Sequence, residues 1–292
     1  MKASALIASD LDRTLIYSHR FFATTPSPEA CVEIYDGAAI SFMTDTAMHA
    51  LTDFAAQHIV VPATTRTVAQ YRRLSLPGGP YPFAVTSNGG SILIDGEPDD
   101  RWNSTVRARI RADGPGIDVI AAAMREQTSD EWVKTFKMAE ELFCYLVIDE
   151  ARLPADFMAA WASWCTPRGW RVSRQGRKIY TVPHSLCKSR AVAEIRHRLT
   201  ESGQLHTDAP LFAAGDGALD AELLSYADAS IRPAHGELHS LGWTSERTTV
   251  TKASGASAAD EIVAWLHQSA EHTRFPPLKK APHQSPITKG TA

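Results

Sequence analysis

The strongest constraint on the fold is a short apolar run that stops at a pair of acidic residues. Ala5 to Ser9 lie directly before Asp10, and Asp12 follows two positions later. A continuous apolar run of this length predicts a strand buried on both faces, as in a parallel sheet covered by helices. Ligands of such sheets bind beyond the carboxyl ends of the strands. The chain therefore begins with a strand that places two carboxylates at a ligand-binding edge.

Strand-like and helix-like segments alternate after this first strand. Apolar residues repeat at helical spacing across Thr44 to His58, and Ile59 to Ala63 is a second short apolar run. A further helix-like segment spans Val68 to Leu74, and Phe83 to Thr86 forms the next predicted strand. This alternation is typical of a parallel sheet whose strands are joined by right-handed crossovers. It predicts an α/β core.

The pattern changes after the turn signal at 87–90, Ser-Asn-Gly-Gly, where Asn-Gly favours a tight hairpin. From there, helix-like segments alternate with strand-like runs in a different order. We interpret 87–184 as a separate α+β unit inserted into the core, which comprises 1–86 and 185–271. The last residues, 272–292, are rich in proline and contain little that could pack, which predicts a disordered tail.

The composition excludes several classes of protein. A net charge of −3, with lysine and arginine scattered along the chain, gives no electrostatic case for nucleic-acid binding. The four cysteines are far apart and form neither a zinc-binding spacing nor a disulfide framework. No apolar stretch approaches the length of about 20 residues that spans a membrane. We expect a cytoplasmic protein with a small-molecule partner, no nucleic-acid partner and no membrane partner; no feature identifies a protein partner.

Polar residues also follow two other predicted strands. The segment 64–66, Thr-Thr-Arg, comes directly after the second strand. A later apolar run that ends at Ala214 leads into Asp216 and Asp220, and Lys188 opens the helix before that run. Because the carboxyl ends of parallel strands meet at one edge of a sheet, we expect these side chains to lie together.

The residue types at this edge match the requirements of phosphoryl transfer from a phosphate monoester. A carboxylate can be the nucleophile if it forms an acyl phosphate, but it repels a phosphate dianion unless a divalent cation bridges the two. Mg²⁺ prefers oxygen ligands from one or two carboxylates. A cationic side chain and a hydroxyl can hold the other phosphate oxygens, and a general acid must protonate the leaving alkoxide. The candidate nucleophile is Asp10, and the candidate metal ligand is Asp216. Lys188 and Thr64 are the candidate cation and hydroxyl that hold phosphate, and Asp12 is the candidate general acid.

The spacing of Asp10 and Asp12 favours different roles for the two carboxylates. Residues two apart at the end of an extended strand point to the same side. Two carboxylates at close range push one pKa upward, which favours an acid/base, Asp12, beside an ionised nucleophile, Asp10. The spacing alone also permits the reverse assignment.

The same residues resemble the four motifs of the haloacid dehalogenase-like (HAD) phosphatase superfamily, in the expected order. Residues 10–14, Asp-Leu-Asp-Arg-Thr, resemble the DxDxT motif, Thr64 the hydroxyl of the second motif, Lys188 the lysine of the third, and Gly215-Asp216 with Asp220 the acids of the fourth. The resemblance implies an α/β fold, with a Rossmann-like parallel sheet core and an inserted α+β cap domain.

The resemblance also implies an activity and a cofactor. In that superfamily the first aspartate, here Asp10, becomes phosphorylated, and the second, Asp12, is the acid/base. Mg²⁺ is held by Asp10, by the backbone carbonyl of Asp12 and by Asp216, with Asp220 in support. The turn at 87–90 and the insert after it resemble the subgroup with a C2-type cap, which is rich in sugar-phosphate phosphatases. The implied substrate is a small phosphate ester such as a sugar phosphate.

Three positions depart from the superfamily pattern. Arg13 and Thr65 stand where glycine is common, and Leu219 stands where asparagine is usual. Arg13 lies outside the reacting pair, so we expect it to be tolerated. Thr65 leaves two neighbouring threonines as candidates for phosphate binding, and we choose Thr64 by register. The loss of the asparagine side chain predicts a weaker grip on the metal.

Several candidates also have a structural alternative. Thr64 could be the N-cap of the following helix, and Asp220 could cap the helix that follows it. Arg66 could contact substrate or only solvent. Asn88 is a candidate for contact with substrate, but its position in the turn favours a turn residue.

Two other functions fit the same motifs. A phosphotransferase or mutase would pass the phosphoryl group from Asp10 to another hydroxyl rather than to water. A non-catalytic binding module would keep the fold without the reaction. Leu219 is the one departure that supports a binding module, whereas the retention of the acids together with Lys188 argues against it.

Overall fold

The computed structural model of the chain describes residues 2–23, 25 and 27–272. The strands are β1 (Leu6–Ser9), β2 (Glu29–Tyr35), β3 (Ala38–Thr44), β4 (Ile59–Pro62), β5 (Phe83–Thr86), β6 (Ser91–Ile94), β7 (Glu97–Pro98), β8 (Val133–Ala139), β9 (Phe143–Ile148), β10 (Trp170–Gln175), β11 (Lys178–Pro183), β12 (Leu211–Ala214), β13 (Ala229–Arg232) and β14 (Thr248–Val250). The helices are α1 (Asp45–Ala55), α2 (Val68–Tyr71), α3 (Asp100–Asp113), α4 (Ile117–Glu126), α5 (Phe157–Cys165), α6 (Lys188–Glu201), α7 (Ala221–Tyr226), α8 (Gly236–Ser240) and α9 (Ser257–His272).

The core is a five-stranded parallel sheet with the order β14-β13-β12-β1-β4. Strand β1 lies between β12 and β4, and Ser9 at its end is paired with both Ala214 and Pro62. Because consecutive strands run in the same direction, helices must connect them across the faces of the sheet. The predicted α/β fold with a parallel sheet core is confirmed.

Strand β1 is buried on both faces, which explains its uninterrupted apolar sequence. Leu6 and Ala8 belong to an apolar cluster on the side of α6 and α7, where Val192 packs. Ala5 and Ile7 belong to a second cluster on the side of α1 and α9. The sheet is therefore the middle layer between two layers of helices.

A β-hairpin follows β1 in a segment to which the sequence assigned no element. Strands β2 and β3 are antiparallel, with Tyr35 opposite Ala38. Asp36 and Gly37 form the turn with φ angles of 49° and 75°. Glycine adopts such left-handed angles readily and aspartate tolerates them, so Asp-Gly is a strong hairpin signal.

The inserted unit contains a four-stranded antiparallel sheet with the order β10-β11-β9-β8. Alternate residues of β9 face opposite sides, so Leu146 packs in a cluster with Trp161 of α5. Tyr145 and Tyr180, by contrast, belong to the cluster that the sheet shares with the core. One face of this sheet is covered by its own helices and the other faces the core.

Part of the segment that the sequence analysis assigned to the insert packs against the core. Strands β5, β6 and β7 form a small antiparallel sheet, and Ala63 bridges to Val85 beside β4. Trp102 and Val106 of α3 lie in the same apolar cluster as Leu6. The domain boundaries at 86/87 and 184/185 stay predictions. The predicted tail lies outside the described residues except for His272, which ends α9.

None of the helices in the described part of the chain is long and apolar enough to cross a lipid bilayer.

We expect the replacement of Trp161 by alanine to destabilise the inserted unit strongly. The indole is fully buried, and its Nε1 donates a hydrogen bond of 2.8 Å to Thr181 Oγ1. Truncation of a buried tryptophan to alanine costs about 3 to 5 kcal/mol in the free energy of unfolding. Denaturant titration followed by circular dichroism measures this loss.

The matched control is Met138→Ala, because Met138 lies on β8 of the same inserted unit with 40% of its surface exposed. An exposed substitution of this kind changes the free energy of unfolding by about 0.5 kcal/mol or less. Equal effects of the two variants would contradict the packing described here.

Candidate active site

The register of the core sheet brings the predicted motifs to one edge. Asp10 follows Ser9 directly, and its backbone N–H donates to Ala214 O at 2.9 Å, the last residue of β12. On the other side, Ala63 N donates to Ser9 O at 2.8 Å. The segments that begin at Thr64 and at Gly215 therefore leave the sheet beside Asp10. This arrangement agrees with the expectation that all three strand ends contribute to one site.

A buried lysine joins two of the acids. Lys188 is the first residue of α6 and is fully buried. Its Nζ donates to Asp10 Oδ1 at 2.5 Å and to Asp220 Oδ1 at 2.6 Å. Thr14 Oγ1 donates to the other oxygen of Asp10 at 3.1 Å. The Asp10 carboxylate is thus held on both oxygens, and a buried ammonium is paired on two sides.

Asp216 differs from the other acids of the site, because neither of its buried carboxylate oxygens has a hydrogen-bond partner. Buried carboxylate oxygens are normally hydrogen bonded or bound to a metal. Asp10, Asp216 and Asp220 each offer one oxygen within 4.8 Å of the others. Gly236 leaves room on the far side, since a Cβ there would lie 2.5 Å from Asp216 Oδ2. These oxygen donors fit a hard divalent cation such as Mg²⁺.

The pKa values of Asp10 and Asp216 reflect burial first and the neighbouring negative charges second. Desolvation raises the pKa of Asp10 from 3.8 to about 7; the charge of Asp220 adds to this, and Lys188 opposes it. Desolvation and the charge of Asp10 raise the pKa of Asp216 well above 3.8. Burial disfavours the Lys188 ammonium, but the carboxylates of Asp10 and Asp220 outweigh burial and raise its pKa. Further positive charge in the site would favour the ionised acids.

Asp12 is held apart from this cluster by Arg66. The guanidinium binds both carboxylate oxygens, with Nε–Oδ2 and Nη2–Oδ1 distances of 2.7 and 2.8 Å. Burial alone would raise the pKa of Asp12, but Arg66 outweighs it and holds this pKa below 3.8. The expectation of a raised pKa at Asp12 is therefore wrong for this arrangement; the pKa of Asp10 is raised instead. The reason is the bidentate arginine, which the spacing of the two acids does not reveal.

Arg66 itself is fixed by a buried carboxylate on the hairpin. Glu33 Oε2 accepts a 2.7 Å bond from Arg66 Nη1 and a 2.6 Å bond from Ser41 Oγ. Arg73 donates to the other oxygen at 2.9 Å. The alternative that Arg66 contacts only solvent is wrong, because its donors are directed at carboxylates of the protein. The sequence analysis did not identify Glu33, although the Asp-Gly turn signal at 36–37 predicts the hairpin on which it lies.

Thr64 and Thr65 are both buried after β4. Thr64 Oγ1 accepts from Arg66 N at 3.1 Å. The N-cap of α2 is Thr67, whose hydroxyl accepts from Gln70 N, so the alternative of Thr64 as the N-cap is wrong. Phosphate binding by Thr64 rather than Thr65 stays a prediction.

The Asp220 side chain holds the loop at 216–217 and does not cap the helix α7. Its Oδ2 accepts from the backbone N–H groups of Asp216 and Gly217, at 3.1 and 2.9 Å. The helix α7 begins after Asp220 without a side-chain cap bond from it. Leu219, in contrast, packs into the apolar core cluster and offers no polar group to this loop.

Asn88 is a buried turn residue. Its φ of 57° is left-handed, which asparagine tolerates better than most residues. Its Nδ2 donates to Leu186 O at 2.8 Å, so it ties together the two chain segments that connect core and insert. This position agrees with the turn alternative; a contact with substrate stays a prediction.

The inserted sheet also reaches this edge, through contacts that the sequence did not indicate. Glu237 of α8 accepts from Ser173 Oγ and Arg174 N of β10, at 2.6 and 2.7 Å. The same side chain accepts from Ala218 N, in the loop after Asp216, at 2.9 Å. On β11, the electrostatic interaction with Tyr180 and, to a smaller extent, that with Asp12 raise the pKa of Lys178 to about 12. Residues of the inserted sheet, which we call the cap sheet, therefore lie beside the loop after Asp216 and near Asp12.

Comparisons with known proteins agree with this architecture. No protein-family model matches the chain, and no curated protein matches it. A sucrose-phosphatase from Synechocystis sp., in complex with sucrose and phosphate, has a similar structure with a TM-score of 0.62, 14% identity, and coverage of 94% of this chain and 99% of that one. A sugar phosphatase of HAD subclass IIB gives a TM-score of 0.55, 13% identity and coverage of 91% and 99%. The C-terminal domain of a trehalose-6-phosphate phosphatase from C. albicans gives a TM-score of 0.52 and 14% identity, with coverage of 91% of this chain and 93% of that one.

These similarities establish the fold. The chain has the architecture of HAD superfamily phosphatases over more than nine-tenths of its length. The predicted Rossmann-like core with an inserted cap is confirmed, and the predicted resemblance is confirmed for the fold.

We expect Glu33→Gln to lower the free energy of unfolding by about 2 to 4 kcal/mol at neutral pH, because Arg66 and Arg73 would lose a buried counter-charge. The pKa of Glu33 lies below its ordinary value of 4.5, held down by the Ser41 and Arg66 hydrogen bonds against burial. Its stabilising contribution is therefore complete above pH 4.5 and is lost as the pH falls through the lower folded pKa. Denaturant titrations at a series of pH values measure the difference.

Glu97→Gln is the control, because Glu97 is paired with Arg72 but is 81% exposed. An exposed ion pair contributes little to stability, so this variant should match the unmodified protein. A Glu33→Gln penalty that is the same at pH 3 as at pH 7 would contradict an electrostatic role.

Proposed function

We propose that this chain, which has the fold of the HAD phosphatases, is a Mg²⁺-dependent hydrolase of phosphate monoesters. One observation carries the proposal: a buried aspartate, Asp10, is positioned by Lys188 beside Asp216, whose carboxylate oxygens lack any hydrogen bond. A nucleophile, a fixed cation and free metal ligands at the carboxyl edge of a parallel sheet are the parts that this reaction needs.

Asp10 is the proposed nucleophile. Its Oδ1 is bound to Lys188, and its Oδ2 accepts only the longer bond from Thr14. Attack by a carboxylate oxygen forms an O–P bond as the bond between phosphorus and the leaving oxygen breaks, which gives an aspartyl phosphate. Water then attacks the phosphorus, and the acyl-phosphate O–P bond breaks, so Asp10 is regenerated and inorganic phosphate is released.

Asp12 is the proposed acid/base. In the structure it is paired with Arg66 on both oxygens, which favours the ionised carboxylate. This is the form that accepts a proton from the attacking water in the second half of the reaction. In the first half, the carboxyl must carry a proton to the leaving alkoxide, so one oxygen of Asp12 must then leave Arg66.

The proposed Mg²⁺ site consists of the carboxylates of Asp10 and Asp216 and the backbone carbonyl of Asp12. When bound, the cation supplies positive charge between the nucleophile and the phosphate dianion. Lys188 holds the Asp10 carboxylate and can bind a phosphate oxygen, and Thr64 supplies a hydroxyl at the end of β4. Asp220 anchors Lys188 and the backbone at Asp216, which fixes the geometry of the loop.

The proposed substrate is a small phosphorylated metabolite of the sugar-phosphate class. Two kinds of observation support this. The similar structures include proteins described as sucrose-phosphatase and sugar phosphatase. In addition, the core-facing side of the cap sheet carries Tyr145, Tyr180 and Lys178, which combine flat apolar faces with polar groups. The free cysteines agree with the cytoplasm as the proposed compartment.

We expect Asp10→Asn to abolish phosphate release from an aryl phosphate, with a loss of at least about 1000-fold in kcat/KM, because the amide is a poor nucleophile. Release by the unmodified protein should require Mg²⁺ and stop in EDTA. A phosphate-release assay, with a parallel search for a phosphorylated Asp10 peptide by mass spectrometry, measures both.

Asp118→Asn is the matched control, because Asp118 is an exposed acid on α4 far from the metal loop in sequence and in fold. It should leave the rate unchanged. Full activity in Asp10→Asn would refute the assigned nucleophile. Formation of a phosphorylated isomer of a sugar phosphate without free phosphate would instead identify a phosphotransferase or mutase.

A further inference from the structure

The side chain of Arg13 reaches into the proposed metal site. Its Nε lies 3.6 Å from Asp216 Oδ2, and that nitrogen is buried without a hydrogen-bond partner. The sequence analysis placed Arg13 outside the reacting groups, but the fold brings its charge to the acid with unpaired oxygens. The distance is that of an ion pair without a hydrogen bond, so the contact is electrostatic.

The charges of the site explain why a cation is needed there. Asp10, Asp216 and Asp220 form a buried acidic cluster. The ammonium of Lys188 is hydrogen bonded to Asp10 and Asp220, and it makes no bond to Asp216. Arg13 is therefore the cation that lies against Asp216 in the described part of the chain. Without a metal, its guanidinium reduces the repulsion within the cluster.

The backbone at Arg13 gives no reason for an arginine. Its φ is 65°, in the left-handed region that glycine adopts more easily than a residue with a Cβ. Its carbonyl accepts a 2.9 Å contact from His235 Nε2, which any residue could accept. What the arginine side chain adds is its charge at Asp216, in a position where the conformation itself favours glycine.

The guanidinium is also confined where it lies. It packs 5.5 Å from the ring centroid of Phe21. On the cap side, a Cβ on Gly176 would lie 3.8 Å from its Nη1, so the β10–β11 turn approaches it closely. Arg13 therefore lies between the loop at Asp216 and the β10–β11 turn of the cap.

We propose that Arg13 is a resident counter-ion of the metal site, which competes with Mg²⁺ for Asp216 and so weakens the metal affinity. This inference rests on the metal site of the proposed function. A divalent cation bound to Asp216 would lie close to the guanidinium, and like charges at that distance repel. Arg13 thus stabilises the metal-free protein and must lose its close contact with Asp216 when Mg²⁺ binds.

The test compares Arg13→Gln and Arg13→Gly with Arg20→Gln. Arg20 packs on the same Phe21 ring and beside the same cap turn, but it makes no ion pair with Asp216. Isothermal titration with Mg²⁺ is expected to give a dissociation constant about tenfold lower for both Arg13 variants, because one repulsive charge is removed. Arg20→Gln should retain the dissociation constant of the unmodified protein.

The unfolding temperature provides a second readout that is independent of activity. The same excess of Mg²⁺ should raise the unfolding temperature of both Arg13 variants more than that of the unmodified protein, because the stabilisation grows with the logarithm of the ligand concentration divided by the dissociation constant. Arg13→Gln should also lose stability in EDTA. An unchanged or higher dissociation constant, or an equal change of stability with and without Mg²⁺, would overturn the proposal.

The outcomes separate this inference from the proposed function. Mg²⁺ binding that tightens in the variants, in a protein without phosphatase activity, would support the counter-ion and refute the hydrolase. Mg²⁺-dependent phosphatase activity with equal affinities in all variants would support the hydrolase and refute the counter-ion. Absence of Mg²⁺ binding in every variant would refute both.

Discussion

The contact on which the rest of the site depends is the buried ammonium of Lys188 between Asp10 and Asp220. A fully buried lysine is tolerated only when its charge is paired and its hydrogens are bonded, and here two carboxylates lie at 2.5 and 2.6 Å. Asp10 follows the end of β1, Asp220 lies in the loop between β12 and α7, and Lys188 begins α6, so the three residues are distant in sequence. Correct pairing of the parallel strands is therefore a condition for burial of this charge.

The acids are divided between cations according to their proposed roles. Lys188 binds the nucleophile and the loop acid, Arg66 binds Asp12, and Arg13 lies against Asp216 at a longer distance. The short pairings hold the carboxylates of Asp10, Asp12 and Asp220 in defined positions in this structure. The longer contact leaves the oxygens of Asp216 without hydrogen bonds, as expected for a ligand that must be available to a metal.

The additions to the core act on the site through a few buried polar contacts. The hairpin brings Glu33 to Arg66, and Glu237 links the cap strand β10 to the loop that follows Asp216. Each of these carboxylates links an inserted element to a loop of the core. Displacement of the hairpin or the cap would therefore disturb Asp12 or the loop around Asp216, even though neither insertion supplies a proposed metal ligand.

By itself, the sequence determined the parallel sheet, the strand ends that carry Asp10, Thr64 and Asp216, and the lysine that pairs with the acids. Apolar runs and their punctuation are local properties, and parallel topology then brings their ends together. Only the tertiary structure decided the partners of charged side chains, such as Glu33 with Arg66 and Arg13 with Asp216. A long side chain can reach any of several acids, and the choice depends on packing between segments that are far apart in the chain.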